Sequence, residues 1–157
     1  VAIRSFARHL SDTLLLRKKL PGKKLESILV TLENGALPYH AFHVLAIYKR
    51  TGHLDIPHTV ETMDACIINW GQVIRIQSGA IVVRTKPLRY IGNKLVFGKP
   101  IKRTLMTQGE KDVLFRQLKI GNWISYHWGY FCQKLTNIQL QHLIYYNNLS
   151  VNLANRP

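Results

Sequence analysis

"DACIINWGQVIRIQSGAIVV", residues 64–83, is the stretch in which the chain changes character. Before it, apolar residues recur every three or four positions. From Ile67 onward they alternate, and β-branched residues dominate, which is the signature of strands. One of the two cysteines, Cys66, stands at the changeover. The pattern places it at the first residue of a strand. A thiol there is either a small buried apolar group or a ligand presented at the lip of a barrel.

Upstream, the apolar spacing predicts helices. Phe6, Leu10 and Leu14 run up to a break at Pro21-Gly22, and Leu25, Ile28, Leu29 and Leu32 form a stripe that ends at Asn34-Gly35. Pro38 suits the first turn of a third helix, since its fixed φ and missing N–H cost nothing there, and Lys49, Arg50 and Gly52 suit its end. A short fourth helix is expected from about His58 to Asp64. Such short helices need a partner surface to bury their stripes.

Downstream, "GQVIRIQSGAIVVRTKPL" reads as a hairpin about Ser78-Gly79, and "YIGNKLVFG" as a second about Gly92-Asn93. Further strands are expected at about Lys102 to Thr107, Asp112 to Leu118 and within "NWISYHWGYF". Five or six short strands with glycine turns predict a small OB-like barrel. Thr136 with Gln139 makes a capping box for a last helix, with Leu140, Leu143, Ile144 and Asn147 on its barrel-facing side. The predicted class is α+β: a helical N-terminal region over residues 1–64, then a barrel with a C-terminal helix over residues 65–157.

No run of about 18 apolar residues occurs, and charges interrupt the N-terminal stretch, so neither a membrane span nor a signal peptide is predicted. The chain begins at Val1, and terminal motifs carry no weight. The expected compartment is the cytoplasm, where Cys66 and Cys132 would be free thiols. The net charge is +14. It is uneven: residues 66–157 carry thirteen Lys/Arg against two Asp/Glu, and eight cations with no acid lie between Arg75 and Arg103. Such a potential attracts nucleic acid, acidic protein surfaces or anionic ligands, and it also serves solubility alone.

Enzyme signatures are missing. There is no H-E-x-x-H, no paired-cysteine motif, no Walker glycine loop and no G-x-S-x-G elbow, and acids are too scarce for a carboxylate pair. His40 and His43 stand three apart on a predicted helix, but no acid follows at a matching position to complete a metal site. His127 has better neighbours. It is placed mid-strand between Tyr126 and Trp128, and Gly129 beyond it would let a partner approach the backbone. Strand alternation puts His127 and Cys132 on opposite sides unless a bulge at Gly129 slips the register, so Cys66 is the expected thiol partner of His127. Basic strands interleaved with Trp70, Tyr90, Phe97, Trp123, Tyr126 and Trp128 also fit a platform for single-stranded nucleic acid.

Two spaced motifs add a resemblance. "CIINWGQV" at 66–73 and "IGNWISYHWGYF" at 120–131 resemble the C-x-x-x-P-G-[KR]-V and G-D-[YW]-V-x-x-H-x-G-F segments of hydrogenase assembly chaperones of the HypC/HupF type. The likeness spans roughly residues 64–150. Trp70 replaces the family's proline, Asn122 replaces its aspartate, the segment between cysteine and histidine is longer by about one hairpin, and the cysteine is internal. An internal Cys66 puts the family's free-amine role out of reach. The helical "GALPYHAFHVLAIYKRTGHLDIPHTVE" is also similar to a group of longer uncharacterised prokaryotic proteins. The resemblance implies a non-enzymatic chaperone or scaffold. Cys66 and His127 would transiently hold iron bearing cyanide and carbon monoxide, and Trp70, Gly71, Trp128 and Gly129 would face partners. Those partners would be a nickel-iron hydrogenase large-subunit precursor and a cofactor-assembly protein. The barrel's cations are expected to raise the thiolate fraction of Cys66. The alternatives are a nucleic-acid-binding barrel and a metal-free interaction module.

Overall fold

The computed structural model describes residues 2–48, 59–107 and 113–156. The chain is α+β: helices, a small five-stranded barrel, and a long helix at the end. Helix α1 (Ile3–Arg8) runs on as π-helical turns over His9–Thr13. The expected single helix then breaks, because Leu15 takes a left-handed φ of 56° that turns the chain so Leu16 and Leu20 can bury. Helix α2 (Leu16–Lys19) and helix α3 (Gly22–Glu33) follow. Helix α4 begins at His40, with extended Tyr39 as its cap, and continues as π-helical turns from His43 to Tyr48. The predicted end of that helix at Lys49–Gly52 lies outside the described residues, as does His58.

Helix α5 (Val60–Cys66) is capped by Thr59, whose Oγ1 accepts from the Thr62 N–H. Cys66 is therefore the last residue of a helix. The strand expected at this point starts later, at Asn69, because Ile67 turns to extended backbone only after the last helical turn has closed on Met63.

Strands β1 (Asn69–Gln77), β2 (Ala80–Thr85), β5 (Ile101–Met106), β6 (Trp123–His127) and β7 (Tyr130–Lys134) close a barrel in the order β1-β2-β5-β7-β6. All pairs are antiparallel except β5 with β7, which meet in parallel at Met106 and Tyr130. Val73, Ile81, Val83, Leu105, Ile124, Tyr126 and Phe131 fill the interior. Phe115 and Leu118 plug it as well. The described part of the strand expected at residues 112–118 is instead a helical turn, α6 (Val113–Arg116), followed by a tight turn in which the Leu118 N–H donates to the Phe115 carbonyl at 3.0 Å, so both side chains reach the interior.

Strands β3 (Leu88–Ile91) and β4 (Lys94–Phe97) form a separate hairpin outside the barrel, with Gly92 and Asn93 both at positive φ as a tight hairpin turn demands. Leu88 and Leu95 join the other core, alongside Phe6, Leu10, Ile28, Phe42, Leu45, Ile47 and Met63. Helix α7 (Asn137–Ala154) starts on the expected capping box and gives Val151, Leu153 and Ala154 to that same core. Asn155, just past the end of α7, clamps the hairpin. Its side chain accepts from the Leu95 N–H at 2.8 Å and donates to the Leu95 carbonyl at 2.7 Å. The helical region thus packs on the extra hairpin and the last helix, while the barrel keeps its own core.

Candidate metal centre

Three donors converge at the barrel rim. Ligand atoms of His40, Cys66 and His127 lie within 4.8 Å of one another. Each comes from a different element: His40 from the first turn of α4, Cys66 from the end of α5, His127 from the end of β6. His40 Nε2 is 2.9 Å from the Cys66 carbonyl oxygen and 3.6 Å from its Sγ. The His40 and His127 rings meet edge to face at 5.8 Å. His127 Nε2 is buried with no hydrogen-bond partner, a costly condition for a polar ring atom in protein.

The local sequence explains the convergence. Trp128 and Gly129 have φ values of 50° and 78°, so they turn β6 directly into β7. The Trp128 N–H, freed by that turn, donates to the Ala65 carbonyl at 2.9 Å and pins the turn to the end of α5. From the other side, Asn147 of α7 donates to the Ile68 carbonyl at 2.8 Å. Cys66 is held between these two anchors. Gly129 supplies the left-handed backbone the turn needs, and a Cβ there would meet none of the chain's own atoms within 4 Å.

A buried polar network, not visible in the sequence reading, sets α5 against the barrel. Asp64 is 5% exposed. It accepts from the Leu88 N–H at 2.7 Å and pairs with Arg103 at 2.6 Å. Arg103 also reaches the Tyr126 hydroxyl at 3.3 Å, and Tyr126 meets Thr85 Oγ1 at 2.9 Å. Burial pushes the Tyr126 phenol above its ordinary value, so it stays neutral. Arg103, partly buried, is therefore engaged by this network and contributes little to the exposed basic surface. The only sequence signal was an acid immediately ahead of the cysteine turn, in a chain poor in acids.

Several expectations change. Burial pushes the Cys66 thiol up, against the expectation that barrel cations would raise its thiolate fraction. The register slip does occur, but opposite Ser125 and Tyr126 at Cys132, which becomes the extra residue of β7, and not at Gly129. Cys132 consequently lines the same groove as His40, Ile68, Ser125, His127 and Gln133, instead of facing away from His127. Burial raises its pKa too, and the His127 backbone N–H opposes that in part. His43 is not among the converging donors; it shares with His40 a second pocket, beside Phe6 and Leu10. Of the residues expected to face partners, Trp128 is 52% exposed and Gly129 lies beside it at the rim. Gly71 does not fit that role, and Trp70 reaches the surface only as part of an aromatic cleft. Trp70 is buried edge-on against Phe97 at 5.0 Å, and Gly71 is inside the barrel, where a Cβ would stand 2.9 Å from Val83. Asn122, in place of the resembled aspartate, closes its turn by accepting from the Lys119 N–H at 3.0 Å.

The family model described as "Family of unknown function (DUF6390)" matches residues 1–157. The chain belongs to DUF6390. No curated protein and no solved structure matches it. In this DUF6390 chain, no described helix is long and apolar enough to cross a membrane.

A second concavity lies elsewhere on the barrel's outer face. Trp70, Phe97 and Trp123 line a cleft of about 290 Å³, with Arg84 and Lys86 beside them and Ile144 and Asn148 of α7 opposite. It has aromatic faces and cations but no metal-donor side chain among its lining residues. Of the aromatic platform expected from sequence, only these three gather here. Tyr126 is in the barrel core, and Tyr90 and Trp128 are exposed at other places.

Proposed function

We propose that this chain is a non-enzymatic cytoplasmic metal carrier or assembly scaffold related in mode to HypC-type chaperones. Its cargo is a low-spin iron unit bearing cyanide and carbon monoxide, gripped by Cys66 and His127. Its recipients are a nickel-iron hydrogenase large-subunit precursor and a cofactor-assembly protein. The observation that carries the reading is the convergence of Cys66 Sγ and a ring nitrogen of His127 within 4.8 Å, beside an open groove that His127 lines. A thiolate and an imidazole are suitable donors for such iron. Iron binding would displace the thiol proton of Cys66, replacing a neutral buried group with a metal-stabilised thiolate. The exposed Trp128 beside the site offers an aromatic contact for a recipient, and the basic surface suits acidic partners.

Infrared spectra of the anaerobically purified chain, co-produced with hydrogenase maturation proteins, test this. Cyanide and carbonyl stretching bands are expected in the wild type and lost in Cys66→Ala. Their absence from both would contradict the reading. The second reading, a single-stranded nucleic-acid binder, is favoured by the cleft of Trp70, Phe97 and Trp123 with Arg84 and Lys86. Oligonucleotide binding that weakens steeply with salt and is indifferent to Cys66→Ala would support it.

A further inference from the structure

We propose that His40 is a third metal donor, so that the helical region and the barrel together form a one-sulfur, two-nitrogen site for a divalent transition ion with one coordination position open to the groove. This rests on the same meeting of Cys66 and His127, and adds to it a ligand from outside the barrel.

Two independent observations point to an ion. The donor atoms of three residues on three separate elements fall within 4.8 Å of one another. In addition, His127 Nε2 is buried without any hydrogen-bond partner, a costly condition that a bound ion would relieve. Zinc-type bonds of about 2.0–2.3 Å set tetrahedral donors about 3.5 Å apart, so a contraction of roughly 1 Å by side-chain rotation is enough. His40 Nε2 and Cys66 Sγ are already 3.6 Å apart. His40 would exchange its contact with the Cys66 carbonyl for the metal, and the thiol proton of Cys66 would leave to solvent. Three protein donors leave a fourth position on the side of the groove lined by Ile68, Ser125, Cys132 and Gln133, where water or an exchangeable ligand can bind; the Cys132 thiol is not within the 4.8 Å donor set. Imidazole and thiolate together suit ions of intermediate softness such as zinc, cobalt and ferrous iron, and not magnesium or calcium.

The arrangement has a structural consequence. His40 starts α4, which packs on α7, and His127 ends β6 at the barrel rim. An ion joining them would cross-link the helical core to the barrel.

Anaerobic titration of the whole chain with cobalt(II) reads this directly. Expected are saturation at one equivalent, a sulfur-to-metal charge-transfer band in the near ultraviolet, and visible bands of four-coordinate intensity. Cys66→Ser should abolish the charge-transfer band, and His40→Ala should weaken affinity by about 10- to 100-fold while retaining it, with His142→Ala as an unchanged control. Far-ultraviolet circular dichroism and a His40→Gln variant establish that the loss is one of ligation and not of folding. Wild-type affinity in both His40 variants, or saturation without a thiolate band, overturns the proposal. The two readings fail separately. A three-donor cobalt site without cyanide and carbonyl bands removes the iron-unit carrier alone, and those bands without any dependence on His40 remove the third donor alone.

Discussion

The two concavities on the barrel are built from opposite materials. The rim groove gathers a thiol and two imidazoles from three elements, has no cation among its lining residues, and leaves a buried ring nitrogen unpaired. The cleft of Trp70, Phe97 and Trp123 has aromatic faces with Arg84 and Lys86 at its edge. The first is chemistry for a soft or borderline cation, the second for a flat or anionic group. The cations of the cleft, Arg84 and Lys86, are thus absent from the lining of the rim groove, and net charge alone points to the cleft and not to the rim.

The largest expected effect comes at the network beneath both. Removing the carboxylate in Asp64→Ala leaves the partly buried Arg103 without its ion-pair partner and the Leu88 N–H without its acceptor. Loss of a buried partner costs about 3–5 kcal/mol, and Arg103's partial exposure argues for the lower end. Chemical denaturation should show a clearly reduced midpoint, and cobalt affinity should fall with it because α5 loses its seat. A shift under 1 kcal/mol would mean that α5 is held mainly by packing.

Gly71→Ala addresses the barrel interior. The new Cβ would press on Val83 Cβ and Cγ2 at 2.9 Å, and the Cβ is fixed by the backbone. Overpacking of this kind costs about 1–3 kcal/mol. Thermal melts should show the loss, while metal stoichiometry stays at one.

A smaller effect separates the faces by pH. The folded pKa of Tyr126 is raised, chiefly by burial, so the folded state holds that proton more tightly than the unfolded chain does. Its contribution is complete below the unfolded phenol value of about 10 and is lost as pH rises through the folded value. Stability should therefore decline in that alkaline window, together with the appearance of tyrosinate absorbance. Tyr126→Phe should remove this step while lowering stability at neutral pH through the lost contacts to Thr85 and Arg103. Smallest of all, exchanging exposed Arg84 and Lys86 for Gln should change stability by no more than about 0.5 kcal/mol and leave cobalt binding unchanged. A large loss of metal affinity in that variant would break the distinction between the two faces.

Local signals carried most of the architecture. The capping box of Thr136 and Gln139, the turn at Gly92-Asn93 and the switch to alternation after Ile67 are short-range chemistry, and each is found in the fold. Failures came where distant packing overrode local pattern. The residues around Phe115 alternate acceptably as a strand, yet they coil into a plug because the barrel interior takes Phe115 and Leu118 together. Regular alternation puts Cys132 on the far face from His127 unless a bulge at Gly129 intervenes, and the slip that reverses it falls at Cys132 itself. At the site, Cys66 and His127 were legible as a pair through their motifs. His40 was not, since its nearest histidine, His43, suggested a different partnership and only tertiary contact brings α4 to the rim. Asp64 was equally hidden, because its partners Leu88 and Arg103 lie on later strands.

X-ray absorption at the metal edge of the zinc-loaded chain bears most directly on whether the rim groove is a metal centre. One sulfur near 2.3 Å and two imidazole nitrogens near 2.0 Å, with a further light atom from solvent, are the expected scatterers. A shell of oxygen and nitrogen alone, or one unchanged in Cys66→Ser, would mean that thiol and imidazoles share the rim without sharing an ion.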